Sequence, residues 1–282
     1  MFISSPCVIH SQPGVEFPII LNLQHASGPE DTAIDPLDQG IYTGVNDGRI
    51  LKFLNGNFND FATTCLSGIV GRNGGLATQL AAGVDGQTFS FADAVVVDEE
   101  YGDAYFVDSG AIFRSLNFTQ IVQSGDTSGR LLKYEAAKGQ VTVLLNGLSG
   151  PAGIATDIHQ TFIMISEFIG RKIIKYFIRG PKANTTETVL ENLEGQPDNV
   201  KRGTLGTFWV ALNIPKPHQQ QQQQPIPITD SIAVNFDMNG NILNTRNVTN
   251  TFPNAFSGYQ EHFDKAYVGS LLSDFVGVYT AI

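Results

Sequence analysis

The sequence predicts an all-β fold of the propeller type, and three observations support this prediction. A similar phrase occurs three times, as DGRILKF (47–53), SGRLLKY (128–134) and IGRKIIKY (169–176). The glycines of these phrases, Gly48, Gly129 and Gly170, are 81 and 41 residues apart. A period of roughly 40–50 residues is typical of propellers and other repeat proteins. Short aliphatic and aromatic segments bounded by glycine indicate strands, and no amphipathic helical run competes with them.

Two alternatives to a propeller follow from the same residues. A β-sandwich also consists of short strands, but it does not explain an interval of 41 residues. Three unrelated hairpins that resemble one another by chance remain an open alternative. About four strands of 5–6 residues with their turns would fill one period, which is the composition of a propeller blade.

The strands are justified in chain order by their pattern. Hairpins are predicted at 40–56, around the turn Asn46-Asp47-Gly48, and at 92–110 and 128–147. Residues 57–75 are rich in glycine and are predicted to be irregular. Three strands are predicted within 153–178, and later strands within ETVLENL, GTFWVALN, SIAVNFDMNGNIL and KAYVGSLLSDFVGVYT. Five strand groups carry the inner pattern: 41–53, 104–134, 161–178, 207–237 and 266–279.

The domain organisation is simple. Residues 1–28 are interpreted as a leading segment with one strand in EFPIILNL, and residues 29–282 as one propeller domain. A chain of 282 residues is long enough for a single all-β domain with a large core. Prolines and a run of six glutamines (219–224) predict a surface loop at 214–230.

Composition limits the classes of partner. The chain is 42% hydrophobic and 16% charged, as is typical of a globular protein. The net charge is −10 and there is no basic stripe, so nucleic acid is not an expected partner; the acidity weakly favours cationic ligands. No apolar run is long enough to predict a transmembrane segment. A monomer is expected.

The cysteines and the glycosylation sequons provide information about the cellular compartment of the protein. The two cysteines, Cys7 and Cys65, are too few for a structural zinc site, while a disulfide between them stays open. Sequons at Asn117, Asn184 and Asn247 predict glycosylation and favour the secretory route. The N-terminus has no basic region and no unbroken apolar core, so no signal peptide is visible. We therefore expect the natural protein to carry additional N-terminal sequence.

A family resemblance emerges from longer phrases. These phrases are YTGVNDGRILKF, GGLATQLAAGVDG, GRLLKYEAAKGQVTVLLNGLSGPAG, the segment from SEFIGRKIIKYFIRGPK through QPDN to FWVAL, and QEHFDKAYVGSL. Together they resemble strictosidine synthase and the plant strictosidine synthase-like proteins, whose animal relatives include adipocyte plasma membrane-associated protein. The resemblance covers about Gly28 to Tyr279. It implies a six-bladed β-propeller, a central small-molecule site and a vacuolar or secretory location.

The chain departs from the family in length. Between Cys65 and Gly74, where the family has most of its second blade, this chain has only LSGIVGRN. The resemblance therefore implies a six-bladed fold with about one blade, the second, largely missing. It also implies that Cys65 is without its usual disulfide partner, because that cysteine would belong to the missing stretch. Either an exon is absent from the coding sequence or the ring closes with fewer blades.

The chain also departs from the family in its chemistry. Strictosidine synthase condenses tryptamine with secologanin by a Pictet–Spengler reaction, for which a glutamate acts as the base. Counting back from QEH places that glutamate on Ser257 and a neighbouring histidine on Ala255. A serine cannot replace a carboxylate as general base, so this activity is not expected, and the catalytic residues are unknown.

Further site residues are implied by the resemblance alone. Phe168 and Leu271 match the family's indole pocket, and Phe91 keeps an aromatic ring where tryptophan is usual. Asp93 replaces a tyrosine and Gly150 replaces a valine. The resemblance thus implies a ligand-binding site formed by Phe91, Asp93, Gly150, Phe168, Ser257 and Leu271, more polar and roomier than in the founding enzyme.

More distant relatives, paraoxonase and gluconolactonase, are calcium-dependent esterases or lactonases. Their ligand positions correspond to Glu30 in GPED and to Asp198 and Asn199 in QPDN, while a usual asparagine is Ala152 here. Oxygen ligands suit Ca²⁺, so a calcium ion at Glu30 and Asn199 is one hypothesis, with Asp93 compensating for the lost asparagine. The favoured alternative is that Glu30 and Asn199 hydrogen-bond loops at the channel mouth, and that no cofactor is required.

Other chemistry is sparse. No GxSxG or HExxH motif occurs, His262 is interpreted as structural or surface-exposed, and Glu167 as a solvated or loop-bonded carboxylate. The sequence predicts a strictosidine synthase-like propeller that binds a small organic molecule in its central channel, without Pictet–Spengler activity. If the protein is an enzyme, hydrolysis of an ester or lactone is the expected reaction. A noncatalytic binding module and a truncated product without function are the alternatives.

Overall fold

The computed structural model describes residues 18–35, 40–63, 75–76, 78–113, 118–216 and 228–282. The described chain is almost entirely β-structure, as predicted. Its helical elements are α1 (Phe118–Ser124), which the sequence did not predict, and a 3-10 turn at Thr204–Gly206. The predictions for Cys7, Cys65, Asn117 and residues 217–227 of the glutamine-rich loop lie outside the described residues. None of the described helices is long and apolar enough to cross a membrane.

The strands fall into consecutive groups along the chain. The first half contains β1 (Ile19–Asn22), β2 (Thr32–Ile34), β3 (Ile41–Gly44), β4 (Arg49–Leu54), β5 (Asn57–Thr63), β6 (Gly75–Leu76), β7 (Gly83–Val84), β8 (Gln87–Thr88), β9 (Ala92–Val97), β10 (Ala104–Asp108), β11 (Gly129–Glu135) and β12 (Gln140–Leu148). The second half contains β13 (Pro151–Thr156), β14 (Phe162–Glu167), β15 (Lys172–Phe177), β16 (Thr186–Leu190), β17 (Gln196–Arg202), β18 (Phe208–Pro215), β19 (Thr229–Phe236), β20 (Ile242–Asn247), β21 (Gly258–His262), β22 (Lys265–Gly269) and β23 (Phe275–Thr280).

Five antiparallel sheets form the blades of a β-propeller. Blade 1 is β2-β3-β4-β5, blade 2 is β9-β10-β11-β12, blade 3 is β13-β14-β15-β16 and blade 4 is β17-β18-β19-β20. The short β6 pairs parallel with β5 at the edge of blade 1, and β7 and β8 form a separate two-stranded sheet. Blade 5 is β21-β22-β23 with β1 as its outer strand. The propeller is confirmed, with five blades among the described residues. The six-blade count of the family is not confirmed, and the count agrees with a propeller in which one blade is missing.

The three copies of the repeated phrase occupy the same position in their blades. β4, β11 and β15, which contain the three copies, are each the third strand of a blade. Each is hydrogen-bonded on both sides, with Leu51, Leu131 and Ile173 almost completely buried. The five predicted strand groups are the second and third strands of the five blades. The interval of 41 residues therefore reflects the repetition of one blade.

The hydrophobic core lies between neighbouring blades. Four buried clusters join blade 2 to 3, blade 3 to 4, blade 4 to 5 and blade 5 to 1. The inner strands follow the same order, since β9 packs against β13, β13 against β17, β17 against β21 and β21 against β2. None of these four clusters joins blade 1 to blade 2. This seam is the place in the chain where the family's second blade would lie.

The ring is closed by the two ends of the described chain. β1 pairs antiparallel with β23, with Ile19 opposite Val278 and Asn22 opposite Phe275. Leu21 packs against the cluster between blades 5 and 1. The strand assigned to the leading segment is thus an integral part of the last blade.

Two local predictions are corrected by the structure. Residues 57–63, predicted to be irregular, form β5, because Asn57–Thr63 pairs along the whole of β4 with one bulge. The loop predicted at 214–230 begins later and ends earlier, since β18 extends to Pro215 and β19 starts at Thr229. Proline is tolerated there because it is the terminal residue of β18.

Candidate functional site

Polar side chains gather where the inner strands begin. Asp93 lies at the start of β9, Asp198 and Asn199 lie in β17, Ser257 directly precedes β21, and Glu30 lies two residues before β2. We call this end of the channel the upper mouth and define it by these five residues. The Asn199 N–H donates to Ser257 O at 3.0 Å, and Gly258 and Gly269 approach the backbone around Glu30. Blades 1, 2, 4 and 5 therefore all contribute to it.

Three carboxylates interact at the upper mouth. Burial, and then repulsion from Asp31, raises the pKa of Glu30 to about 7. Burial also raises the pKa of Asp93 and of Asp198 well above the usual range, and Glu30 adds to both shifts. All three residues are half-buried. Burial of neighbouring carboxylates thus disfavours their ionised forms at this mouth.

Asp93 is held by a serine that no sequence motif singled out. The buried Ser109 Oγ lies 3.1 Å from Asp93 Oδ2 and 2.7 Å from the carbonyl oxygen of Pro151. A hydroxyl has one proton, and the carbonyl can only accept. The Ser109 hydroxyl therefore donates its one proton to the carboxylate of Asp93 or to the carbonyl oxygen of Pro151. Burial raises the pKa of Asp93, and the hydrogen bond from Ser109 opposes that increase because it favours the ionised carboxylate.

The cation nearest these acids is already paired. Lys201 in β17 forms an ion pair with Asp31. Its positive charge lowers the pKa of Glu30, but by less than burial and the charge of Asp31 raise it. No described residue donates a hydrogen bond to the carboxylate of Glu30. The prediction that Glu30 hydrogen-bonds a neighbouring loop is therefore not supported in the described chain, whereas Asn199 does bond a loop through its backbone.

Ser257 is fixed in a buried position. Its side chain is 1% exposed, its N–H donates to Gly269 O at 3.0 Å, and its Oγ lies 3.4 Å from the N–H of Leu271. The preceding residue, Phe256, exchanges two hydrogen bonds with the Asn213 side chain. Ser257 thus connects blades 4 and 5. Leu271 lies next to it and is 43% exposed.

The predicted aromatic residues come together around a phenylalanine that the sequence did not mark out. Phe113 stacks on Phe91 with ring centroids 5.8 Å apart, and meets Phe168 edge-on at 6.4 Å. Gly150 lies beside them with φ +62°, and a Cβ there would come within 3.0 Å of Phe113 and Ile169. Ile169 and Phe113 therefore fill the space beside Gly150, and the expectation of a roomier pocket than in the founding enzyme stays a prediction.

Two other predictions can be compared with the structure. Glu167 is buried and loop-bonded, since it accepts from the Ser149 N–H at 2.8 Å and pairs with Lys172 at 3.2 Å. It is not solvated, and it serves the Ser149–Gly150 turn. His262 lies at the end of β21, on the far side of the channel from Ser257.

A calcium ion at Glu30 and Asn199 stays a prediction. Carboxylate and amide oxygens are the ligands that Ca²⁺ prefers, and the upper mouth supplies them. However, no three His, Cys, Asp or Glu side chains in the described ranges are close enough together to hold one ion. Glu30, Asp93 and Asp198 interact through charge at longer range. The chemistry proposed for this site therefore has no step that runs through a metal.

Sequence comparison establishes the family. A profile described as "Strictosidine synthase" matches residues 93–181, and one described as "Strictosidine synthase-like, N-terminal" matches 20–53. Protein STRICTOSIDINE SYNTHASE-LIKE 12 of Arabidopsis thaliana is 32% identical over 89% of this chain and 86% of its own length. The chain belongs to the strictosidine synthase-like family. Strictosidine synthase of Catharanthus roseus is 30% identical to it, over 89% of this chain and 82% of that enzyme.

Solved structures show the same fold at much lower identity. A gluconolactonase from Xanthomonas campestris superposes with a TM-score of 0.65 and 11% identity, over 93% of this strictosidine synthase-like chain and 88% of the other. At this identity the likeness shows the propeller fold alone.

Proposed function

We propose that this strictosidine synthase-like protein binds a small organic molecule at its upper mouth and hydrolyses an ester or lactone bond in it. The observation that carries the proposal is Glu30, which has a pKa raised to about 7 and interacts with two acids whose pKa values burial also raises. Perturbed titratable groups in a channel are characteristic of functional sites, and a base with a pKa near the working pH is the most effective.

The acids of the upper mouth have different roles in the proposed reaction. Ionised Glu30 accepts a proton from a water molecule, whose oxygen forms a bond to the acyl carbon. Protonated Asp93 or Asp198 donates a hydrogen bond to the carbonyl oxygen as negative charge develops there. The bond from carbon to the leaving oxygen then breaks, and the leaving oxygen takes the proton from Glu30. Phe91 and Phe168 supply apolar surface beside Asp93, because Phe91 precedes it by two residues in extended chain.

The proposal includes the absence of strictosidine synthase activity. Deprotonation of the amine and of the indole ring carbon requires a base, and Ser257 supplies none at the position where the family's glutamate is expected. Ser257 is also buried and bonded to Leu271. Incubation of the purified protein with tryptamine and secologanin, followed by mass spectrometry, should give no product above the uncatalysed reaction. Product that is lost in Asp93→Ala would place the base at Asp93 instead.

Hydrolysis is tested with a matched pair of variants. p-Nitrophenyl acetate and δ-valerolactone are suitable probes, and the rate should rise with pH through about 7 as Glu30 ionises. Glu30→Gln should reduce the rate by ~10²–10⁴-fold, which is the usual contribution of a general base. Glu194→Gln, a change at an exposed glutamate, should leave it unchanged. Equal rates in both variants, or binding of the probes without turnover, would favour a noncatalytic binding module.

A further inference from the structure

A cavity lies at the opposite end of the inner strands from the upper mouth. It has a volume of about 530 Å³ and is lined by the ends of all five inner strands and the turns that follow them. We call it the lower mouth. The inner strands separate it from the upper mouth by ~10–23 Å, given a rise of about 3.3 Å per residue and their differing lengths. Its volume is in the range of known small-molecule sites.

One part of the lower mouth is apolar and accessible. Ile34, Val97 and Ile158 line it, and Val97 and Ile158 are 54% and 70% exposed. Exposed aliphatic residues that converge on a cavity are uncommon unless they bind something. The lining therefore offers a surface for an apolar group of limited size.

The other part of the lower mouth is cationic. Arg202 lines the cavity at the end of β17, and its side chain makes only a 3.4 Å contact with the carbonyl oxygen of Asp157. By contrast, Arg49, Arg130 and Arg179 all form ion pairs with aspartates. No carboxylate of the described chain lies within ion-pair distance of Arg202. Its guanidinium is thus available to an anion.

The acidic groups around the cavity are mostly engaged elsewhere. Glu261 accepts from the N–H and the hydroxyl of Thr204, at 3.1 and 3.0 Å. The Asp157 carboxylate accepts three backbone N–H groups of its own turn and the Thr161 hydroxyl. Glu99, which is exposed, is the acidic residue in the lining itself. Lys201 also lines the cavity, but its ammonium group is paired with Asp31.

His262 supplies a second, independent observation. It lines the cavity, and its Nε2 is shielded from solvent without a hydrogen-bond partner in the described structure. A buried polar atom without a partner is costly, so His262 Nε2 gains free energy when a water molecule, an ion or a ligand supplies a hydrogen bond. Arg202 and His262 thus place donors on two adjacent inner strands, β17 and β21.

We propose that the lower mouth is a binding site for a small organic carboxylate. Its carboxylate group binds Arg202 and His262, and its apolar body lies on Val97, Ile34 and Ile158. A planar carboxylate matches the forked donors of a guanidinium group. An inorganic anion would use Arg202 alone and leave the aliphatic lining in water. The site is separate from the acids of the upper mouth, since none of Glu30, Asp93 and Asp198 lines it.

Three fluorinated probes with the same ring test the charge preference. We would titrate the full chain with 4-fluorophenylacetate, neutral 4-fluorophenylacetamide and cationic 4-fluorophenethylamine, and follow binding by ¹⁹F NMR. The carboxylate should bind at least ~10-fold more tightly than the amide, as a charge-assisted hydrogen bond provides. Equal affinity for the carboxylate and the amide would overturn the proposal.

Variants then locate the site. Arg202→Gln should weaken binding of the carboxylate by ~10-fold or more, whereas Arg171→Gln, at an exposed arginine elsewhere, should not. Val97→Glu puts a negative charge on the exposed lining and should abolish binding. Glu30→Gln at the upper mouth should leave it intact. An unchanged affinity in both Arg202→Gln and Val97→Glu would refute the site, and thermal melts check that each variant is folded.

Discussion

At the scale of single residues, the pKa of Glu30 has a consequence for stability. Its folded pKa of about 7 lies above the unfolded value of 4.5, so the folded state binds the proton more tightly. The stability that this proton provides is fully present below pH 4.5 and is lost as the pH rises through 7. The upper mouth therefore destabilises the protein in its ionised form, as is common for functional sites.

Substitution of Glu30 should increase the stability of the protein while it reduces the rate of hydrolysis. We expect Glu30→Gln to be more stable than the parent at pH 8 by ~2 kcal/mol, with little difference at about pH 4.5. Urea denaturation at both pH values measures this difference. Glu194→Gln is the control and should follow the parent at both. A variant that loses stability at pH 8 would show that the Glu30 carboxylate is stabilised by its surroundings.

Gly150 allows a second prediction for a single residue. Gly150 and Gly180 have φ values of +62° and +82°, but only Gly150 has side chains within 3.0 Å of the place that a Cβ would occupy. Gly150→Ala adds overpacking to backbone strain, so it should cost ~2 kcal/mol more than Gly180→Ala. Chemical denaturation of the two variants gives the difference. Equal losses would mean that Ile169 and Phe113 move aside without cost.

Residue chemistry was only partly predictable from the sequence. Glu30, Asp93 and Ser257 could be singled out by resemblance, and the structure brings them to one mouth of the channel. The roles of Ser109 and Phe113 could not, because their importance comes from contacts with residues distant in the sequence. A pKa of about 7 for Glu30 depends on burial and on Asp31 and Lys201, which no motif encodes.

At the scale of elements, the contribution of the closing strand β1 to stability can be tested by substitutions at two neighbouring residues. Leu21 is partly buried against the cluster between blades 5 and 1, whereas Ile20 is 41% exposed on the other face. Leu21→Ala should reduce the free energy of unfolding by ~1–3 kcal/mol, and Ile20→Ala by less than about 1 kcal/mol. Both are measured by urea denaturation. The same small loss in both variants would mean that β1 contributes little to the last blade.

Strand positions were predicted well where the local pattern is strong. The hairpin around Asn46-Asp47-Gly48 is present, with Ile41 opposite Phe53. β5 was missed because Asn57–Thr63 is polar on its exposed side and is held by its pairing with β4. β1 was recognised as a strand, but its partner β23 lies near the other end of the chain, beyond the reach of any local signal.

At the scale of the whole molecule, the seam between blades 1 and 2 predicts that backbone amides are unequally protected against hydrogen exchange. β13 packs against an inner strand on both sides, β9 and β17, while the extensive inner-strand packing of β9 is with β13 alone. Amide hydrogen exchange should therefore be faster in peptides covering 92–97 than in those covering 151–156. Mass spectrometry resolves the two peptides. Equal protection would show that blades 1 and 2 pack as firmly as the others.

The pairing of β1 with β23 also governs how the protein is made. Ile19–Asn22 leaves the ribosome long before Phe275–Thr280, its partner in the last blade. Blades 2, 3 and 4 each have all their strands close together in sequence and can assemble during translation. The last blade must wait until β23 has been synthesised, with β1 unpaired until then. Nascent chains therefore expose an unpaired, aliphatic strand for most of their synthesis, and this is the interval in which chaperones would protect them from aggregation.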